Sequence, residues 1–235
     1  MKSQIIQQGA EEVLIKKGNL LLKRRIAKGY RIKEMDDRIR KNRTKREARL
    51  LEKAGKIVPV PKLIKVDEKA KEIDMEFIEG LKLSESLDEI ENWREVCVEI
   101  GKNIALLHDE GIIHGDLTTS NLIWVSTDRG ARPPSLKHAQ KKLSHHPPTK
   151  PQKVSVDNDG KLFFIDFGLG FGNGRIEDKA VDLYLIKEAL EAKHFKRFEE
   201  YFAAVLKGYK VSKNYKETLK RLEKVEKRGR YKEQY

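Results

Sequence analysis

An aspartate and an asparagine stand five residues apart, Asp116 and Asn121, in the stretch HGDLTTSNLI at 114–123. One carboxylate and one carboxamide on a short loop offer two carbonyl-type oxygens, enough to serve a metal ion and a proton acceptor together. Elsewhere Asp166 closes the apolar run LFFI and opens DFG, Lys23 projects from LLLKRR, and Glu47 lies in the basic segment that follows. Phosphoryl transfer from a nucleotide uses such a set, because its transition state spreads negative charge and catalysis is mainly positioning and charge stabilisation. A lysine holds the alpha and beta phosphates, and a glutamate fixes the lysine. Asp166 and the amide oxygen of Asn121 are hard ligands suited to magnesium. Asp116 can orient an attacking hydroxyl or water and accept its proton. Each residue also has a plainer reading. Lys23 alone reads as a solvated edge residue, and Glu47 alone relieves repulsion among Arg43, Lys45, Arg46 and Arg49.

Positioning such a set requires strands and helices in a definite order. EVLIKKGNLLLKRR reads as two strands around a Gly18-Asn19 turn, with Leu21 and Lys23 on one face of the second. EMDDRIRKNRTKREARLLEKAG is helical in composition and ends at Gly55. VPVPKLIKVD and EIDMEFIEG read as strands, the first confined to an edge or entry by Pro59 and Pro61. These elements make residues 1–78 a small sheet with one helix. Residues 79–235 read as mostly helical. Trp93, Val96, Ile100, Ile104 and Leu107 form the apolar stripe of a helix capped by Asn92 and stopped at Gly111. LIWV and KLFFIDFGLGFG supply short buried strands around the Asp166 turn. Two later stripes are assigned to core packing: Phe195, Phe198, Phe202 and Val205, then Tyr215, Leu219, Leu222 and Val225.

The chain of 235 residues carries a net charge of +13, with 38% hydrophobic and 37% charged residues. It is long enough for one large domain or two lobes. No apolar run approaches a membrane span, the first dozen residues lack a signal-peptide apolar core, and the lone cysteine, Cys97, suits a reducing compartment. The expectation is an intracellular, cytoplasmic protein with no membrane partner. Its excess charge is clustered. Residues 23–49 hold thirteen Lys/Arg against four acids, 126–156 hold seven against one, and 220–235 hold seven against three. Clustering favours directed binding of a polyanion over general solubility. The middle cluster also holds five of the seven prolines and three of the six histidines, His138, His145 and His146. It reads as a disordered insertion at about 127–154, with no acid or cysteine at metal-ligand spacing beside the histidines.

HGDxxxxN, an apolar strand and then IDFG match the order and placement of protein-kinase-like catalytic centres. Two omissions narrow that reading. Gly115 stands where most regulated protein kinases carry arginine, so a phosphorylated activation loop lacks its usual partner. No GxGxxG is present, only QQGAEE with Gly9, and the 67 residues after DFG leave little for peptide docking.

GAEE, LLLKRRIAKGYR, NRTKREARLL, MEFIEG, HGDLTTSNLI, IDFGLG, EDKAVDLY and the tail EKRGRYK together resemble the small atypical kinase of the KEOPS complex, the PRPK-like family. The resemblance implies an α+β, bilobal protein-kinase-like fold with a reduced C-lobe. It also implies ATP and Mg2+ binding, and ATP hydrolysis in support of threonylcarbamoyladenosine formation on tRNA, with weak Ser/Thr phosphorylation in isolation. By the same resemblance Lys23 is the ATP-binding lysine and Glu47 its helix partner. Asp116 is the catalytic base, and Asn121 with Asp166 hold the metal. Gly9 lies at the nucleotide, and Met75, Glu76, Phe77 and Ile78 form the hinge that meets adenine through its backbone. Asp182 braces the catalytic loop. Arg228, Arg230 and Lys232 touch tRNA or a neighbouring subunit. Implied partners are tRNA, the ASKHA-fold threonylcarbamoyltransferase subunit and a small cystatin-like subunit. Two departures stand out: Glu12, where the family has a smaller residue and a surface orientation would make the change harmless, and the insertion, a tRNA-contacting arm or tolerated baggage. The alternatives are a stand-alone Ser/Thr protein kinase and a non-catalytic RNA-binding scaffold.

Overall fold

A tight turn at Gly18 and Asn19 folds β2 (Glu12–Lys17) back onto β3 (Leu20–Arg25), and the register across it pairs Leu14 with Lys23 and Glu12 with Arg25. The computed structural model describes residues 3–126 and 160–232, with side chains through Arg228. The expected insertion and its three histidines lie outside the described residues. A strand absent from the sequence reading, β1 (Ser3–Gln8), flanks β2; it is exposed throughout, so no buried face marks it in the sequence. Beyond β3 come β5 (Glu72–Glu76) and β4 (Leu63–Asp67), giving an antiparallel sheet in the order β1-β2-β3-β5-β4. Pro59 and Pro61 keep the chain out of the ladder until Leu63, since a proline cannot donate to it. Helix α1 (Lys33–Ala54) packs against β4 and β5 and buries Ala48, Leu50, Leu51 and Ala54.

The second half begins with β6 (Leu81–Lys82), α2 (Leu83–Ser86) and α3 (Trp93–Asp109). Strands β7 (Leu122–Val125) and β8 (Lys161–Phe164) pair with each other and complete a small sheet, β6-β7-β8. Helices α4 (Ile176–His194), α5 (Phe198–Tyr209) and α6 (Tyr215–Lys232) follow. The predicted α3 stripe is buried at all five positions, each side chain contributing about 1.5–3 kcal/mol of transfer free energy. Gly111 stops the helix in the left-handed region, at φ +70°. Asn92 holds the position before α3, but its side chain makes no cap bond to the first turn. Phe195 also departs from expectation. It is 69% exposed, because α4 ends at His194 and α5 starts at Phe198, so the stripe that looked continuous crosses a helix boundary. No described helix is long and apolar enough to cross a membrane.

Helices α3 and α5 meet backbone to backbone where two glycines face the opposite helix. A Cβ on Gly101 would run into the Val205 carbonyl, and one on Gly208 into that of Val98. This contact fixes the spacing of α3, the helix that leads into the loop at 112–121. Gly208→Ala is expected to cost about 1–3 kcal/mol by overpacking, read as a fall in Tm of roughly 2–4 °C per kcal/mol. Gly172→Ala, where nothing lies within 4 Å of a new Cβ, is the control and should leave Tm within about 0.5 kcal/mol of the parent.

Candidate active site

Lys23 projects from β3 and is only 4% exposed. A buried ammonium is tolerable only when paired, and three carboxylates surround this one. Its Nζ lies 2.8 Å from Glu47 Oε1, 2.7 Å from Asp166 Oδ1 and 3.2 Å from Glu12 Oε2. Glu47, on α1, has both oxygens engaged, the second accepting from Arg25 Nη2 at 2.5 Å. Its partners are therefore the two β3 cations rather than its arginine neighbours along the helix. Asp166 takes a left-handed backbone, φ +62°, a conformation that costs a non-glycine residue of order 1–3 kcal/mol. It is held there by Lys23 and by the Gly168 N–H, 3.1 Å from Oδ1.

Glu12 and Arg25 are the residues that the sequence reading missed. Glu12 does not face the surface: it is turned onto Lys23, with Arg25 Nη1 a further 3.7 Å away. The signal was available, because a two-residue turn at 18–19 sets Glu12 opposite Arg25 and on the Lys23 face. The preceding residue, Glu11, binds Arg31 and Arg43, joining the GAEE turn to KGYR and α1.

The HGDLTTSN loop is built around Asp182 of α4, which is 1% exposed. Its carboxylate accepts the backbone N–H groups of His114 at 2.7 Å and Gly115 at 2.9 Å. His108 Nε2 lies 3.4 Å from the same carboxylate, and His108 Nδ1 lies 2.9 Å from the Tyr209 hydroxyl. Gly115 has φ +77°, and a Cβ there would sit 2.6 Å from the Leu169 carbonyl. The place of the missing arginine is thus closed to any side chain. His114 Nε2 lies 3.0 Å from the Ile165 carbonyl, so it carries the proton. Asn121 spends its amide donor on Asp116, at 2.8 Å from the carbonyl and 3.0 Å from Oδ2, which leaves its amide oxygen as the acceptor end.

The loop and the DFG turn are joined by backbone bonds: Ile113 and Phe171 exchange both of theirs, and the Ile165 N–H donates to Asn121. Lys23, Glu47 and Asp166 thus form one cluster and Asp116 with Asn121 another, linked through residue 165. Met75 to Ile78 continue β5. The N–H groups of Glu76 and Phe77 donate to Lys62 and Asn19, whereas that of Ile78 has no backbone acceptor among the described residues. Gly9 sits in the exposed β1–β2 turn and donates its N–H to the backbone carbonyl of Glu12, the residue whose carboxylate reaches Lys23. Arg228 reaches Glu177 at 2.8 Å; the side chains of Arg230 and Lys232 lie outside the described set.

Burial alone would lower the Lys23 pKa, but the charges of Glu47, Asp166 and Glu12 more than reverse this and raise it. Burial would raise that of Asp166, yet the Lys23 charge and hydrogen bond hold it below the ordinary value. Glu12 is the surplus acid: burial, with Asp166 and Glu47 nearby, keeps its pKa raised, and Lys23 offsets only part. Among the described residues no group of three or more His, Cys, Asp or Glu is placed to hold a metal alone. One carboxylate and one amide oxygen do fit magnesium that is also bound by phosphates.

The sequence model of the RIO domain family matches residues 22–130. The chain is 40% identical over 220 residues to the KEOPS complex subunit Bud32 of Pyrococcus abyssi, covering 91% of this chain and 85% of that protein. It is 39% identical over 236 residues to a probable bifunctional tRNA threonylcarbamoyladenosine biosynthesis protein of Methanobrevibacter smithii, covering 97% of this chain and 36% of the larger one. It therefore spans about a third of that relative. Among solved structures, the Rio2 kinase–ADP/Mg2+–phosphoaspartate complex from Chaetomium thermophilum superposes with a TM-score of 0.55 at 14% identity, covering 96% of this chain and 70% of that one. The fold is α+β and protein-kinase-like, as the sequence leads one to expect.

Two outcomes follow from the geometry. Asp182→Asn offers one acceptor to two backbone donors, so denaturant unfolding should show a loss of about 1–3 kcal/mol for each buried group left unsatisfied. The lowered Asp166 pKa adds stability that is present above the ordinary carboxylate value of about 3.9 and is lost as pH falls through the folded value. Asp166→Asn should accordingly flatten the fall in stability as pH drops below the ordinary carboxylate value, measured by urea unfolding across the acid range.

Proposed function

The chain belongs to the family of the KEOPS complex subunit Bud32, and from this premise we propose that it is an ATP- and Mg2+-dependent atypical kinase and ATPase supporting threonylcarbamoyladenosine modification of tRNA. The observation that carries the proposal is the Lys23 ammonium held between Glu47 of α1 and Asp166 of the DFG turn. This pairing sets a fixed cation beside the Asp166 carboxylate, the arrangement that a nucleotide triphosphate needs. Lys23 binds the alpha and beta phosphates, while Glu47 and Arg25 hold its position. Asp166 and the Asn121 amide oxygen would hold magnesium, which when bound neutralises phosphate charge. Asp116, steadied by Asn121, orients the attacking water or hydroxyl and takes its proton. The Ile78 N–H and the neighbouring backbone meet adenine. A water nucleophile gives ADP and phosphate; a serine or threonine hydroxyl gives the weaker kinase reaction.

The basic surface supports the second half of the reading. Arg38, Lys41, Lys45 and Arg49 follow one another at spacings of three and four residues along α1 and are exposed or half-buried, a stripe suited to a phosphate backbone. We assign this stripe and the basic tail to tRNA or to the partner subunits, the threonylcarbamoyltransferase and the cystatin-like protein. The cytoplasm, where these substrates meet, is the compartment that fits.

ATP turnover by the full chain, with and without tRNA and partner subunits, tests the reading. Asp166→Ala should lower tRNA-stimulated turnover by about a hundredfold or more, the usual cost of losing a preorganised charge at a transition state. Equal turnover in parent and variant would sink it. Binding to tRNA should weaken steeply with salt, as phosphate-dominated contacts do.

A further inference from the structure

An ammonium has three N–H donors, and at Lys23 three carboxylates claim them. A phosphate can bind Lys23 directly only by replacing one of the three. Glu47 is 2% exposed and held by Arg25 as well. Asp166 makes the shortest contact, 2.7 Å, and its Oδ1 also accepts from the Gly168 N–H. Glu12 is the partner held least. The Asp166 side chain is the more exposed, 37% against 22%, but the Glu12 contact is the longest at 3.2 Å, and Glu12 stands where the exposed β1–β2 turn enters β2. Arg25 Nη1, 3.7 Å from the same oxygen, offers a second cation to which it can turn. The cluster holds two cations, Lys23 and Arg25, against three carboxylates, so an arriving anion meets one surplus negative charge.

Building on the nucleotide-binding reading, we propose that Glu12 competes with nucleotide phosphates for the Lys23 ammonium and thereby sets how tightly this cleft holds a nucleoside triphosphate. The carboxylate acts as an intramolecular counterion at the phosphate seat. Its displacement opposes binding and favours release, and the opposition grows with the number of phosphates. Residue 12 then determines affinity without touching the transferred group.

The test is calorimetric titration of the full chain with ATP, ADP and adenosine, each with Mg2+ and with EDTA, for the parent, Glu12→Gln and Glu12→Ala. Both variants should bind ATP about tenfold more tightly, about 1.4 kcal/mol, with a smaller gain for ADP and none for adenosine, in either buffer. Melting curves identify a variant that has not folded, and the other then decides. Unchanged or weaker ATP binding overturns the proposal. So does an equal gain for adenosine, which reports a general effect on the cleft, or a loss seen only with Mg2+, which makes Glu12 a cation ligand. A parent chain that binds none of the three removes the nucleotide-binding reading and this proposal together; a parent that binds, with variants no tighter, removes this proposal alone.

Discussion

One buried cation organises the meeting of β2, α1 and the DFG turn. At 4% exposure the Lys23 ammonium cannot be solvated, so the fold must bring carboxylates to it from β2, α1 and the DFG turn. Truncating Glu47, which is 2% exposed and pairs with both Lys23 and Arg25, breaks a buried charge network, which is far costlier than losing a surface pair. The long-range order of the molecule serves this meeting: 143 residues of sequence separate Lys23 from Asp166.

A second charged centre acts on geometry rather than on ligands. Asp182 touches no group proposed to react, yet it takes the backbone donors of two successive loop residues and lies beside His108, which in turn meets Tyr209. Helices α3, α4 and α5 are thus coupled to the orientation of His114 and Gly115. The Gly101–Gly208 contact sets how near α3 and α5 lie, and so how near His108 comes to Tyr209.

Much of this was legible in the sequence because it is local or periodic. The α3 stripe, the stop at Gly111 and the hairpin at 18–19 depend on spacings of two to four residues, and the strong HGDxxxxN and IDFG motifs name the polar groups directly. What escaped notice depends on context. The exposed strand β1 has no buried face, and its place is set by pairing with β2. Phe195 looked like core because a helix boundary three residues away leaves no mark on an apolar periodicity. Glu12 gains its place only from the hairpin register, which pairs it with Arg25 and sets it on the face of Lys23.

The pairing of Val125 with Lys161 at the open end of the β7–β8 hairpin bears on how such a chain can evolve. Departure and return points of the intervening segment are neighbours, and the Ile113–Phe171 bridge together with the Ile165–Asn121 bond fixes the alignment of the two polar loops independently of it. Lengthening a link between adjacent ends adds only a slowly growing closure entropy. Lineages can therefore gain, lose or rewrite sequence at this junction while the chemistry on either side keeps its geometry.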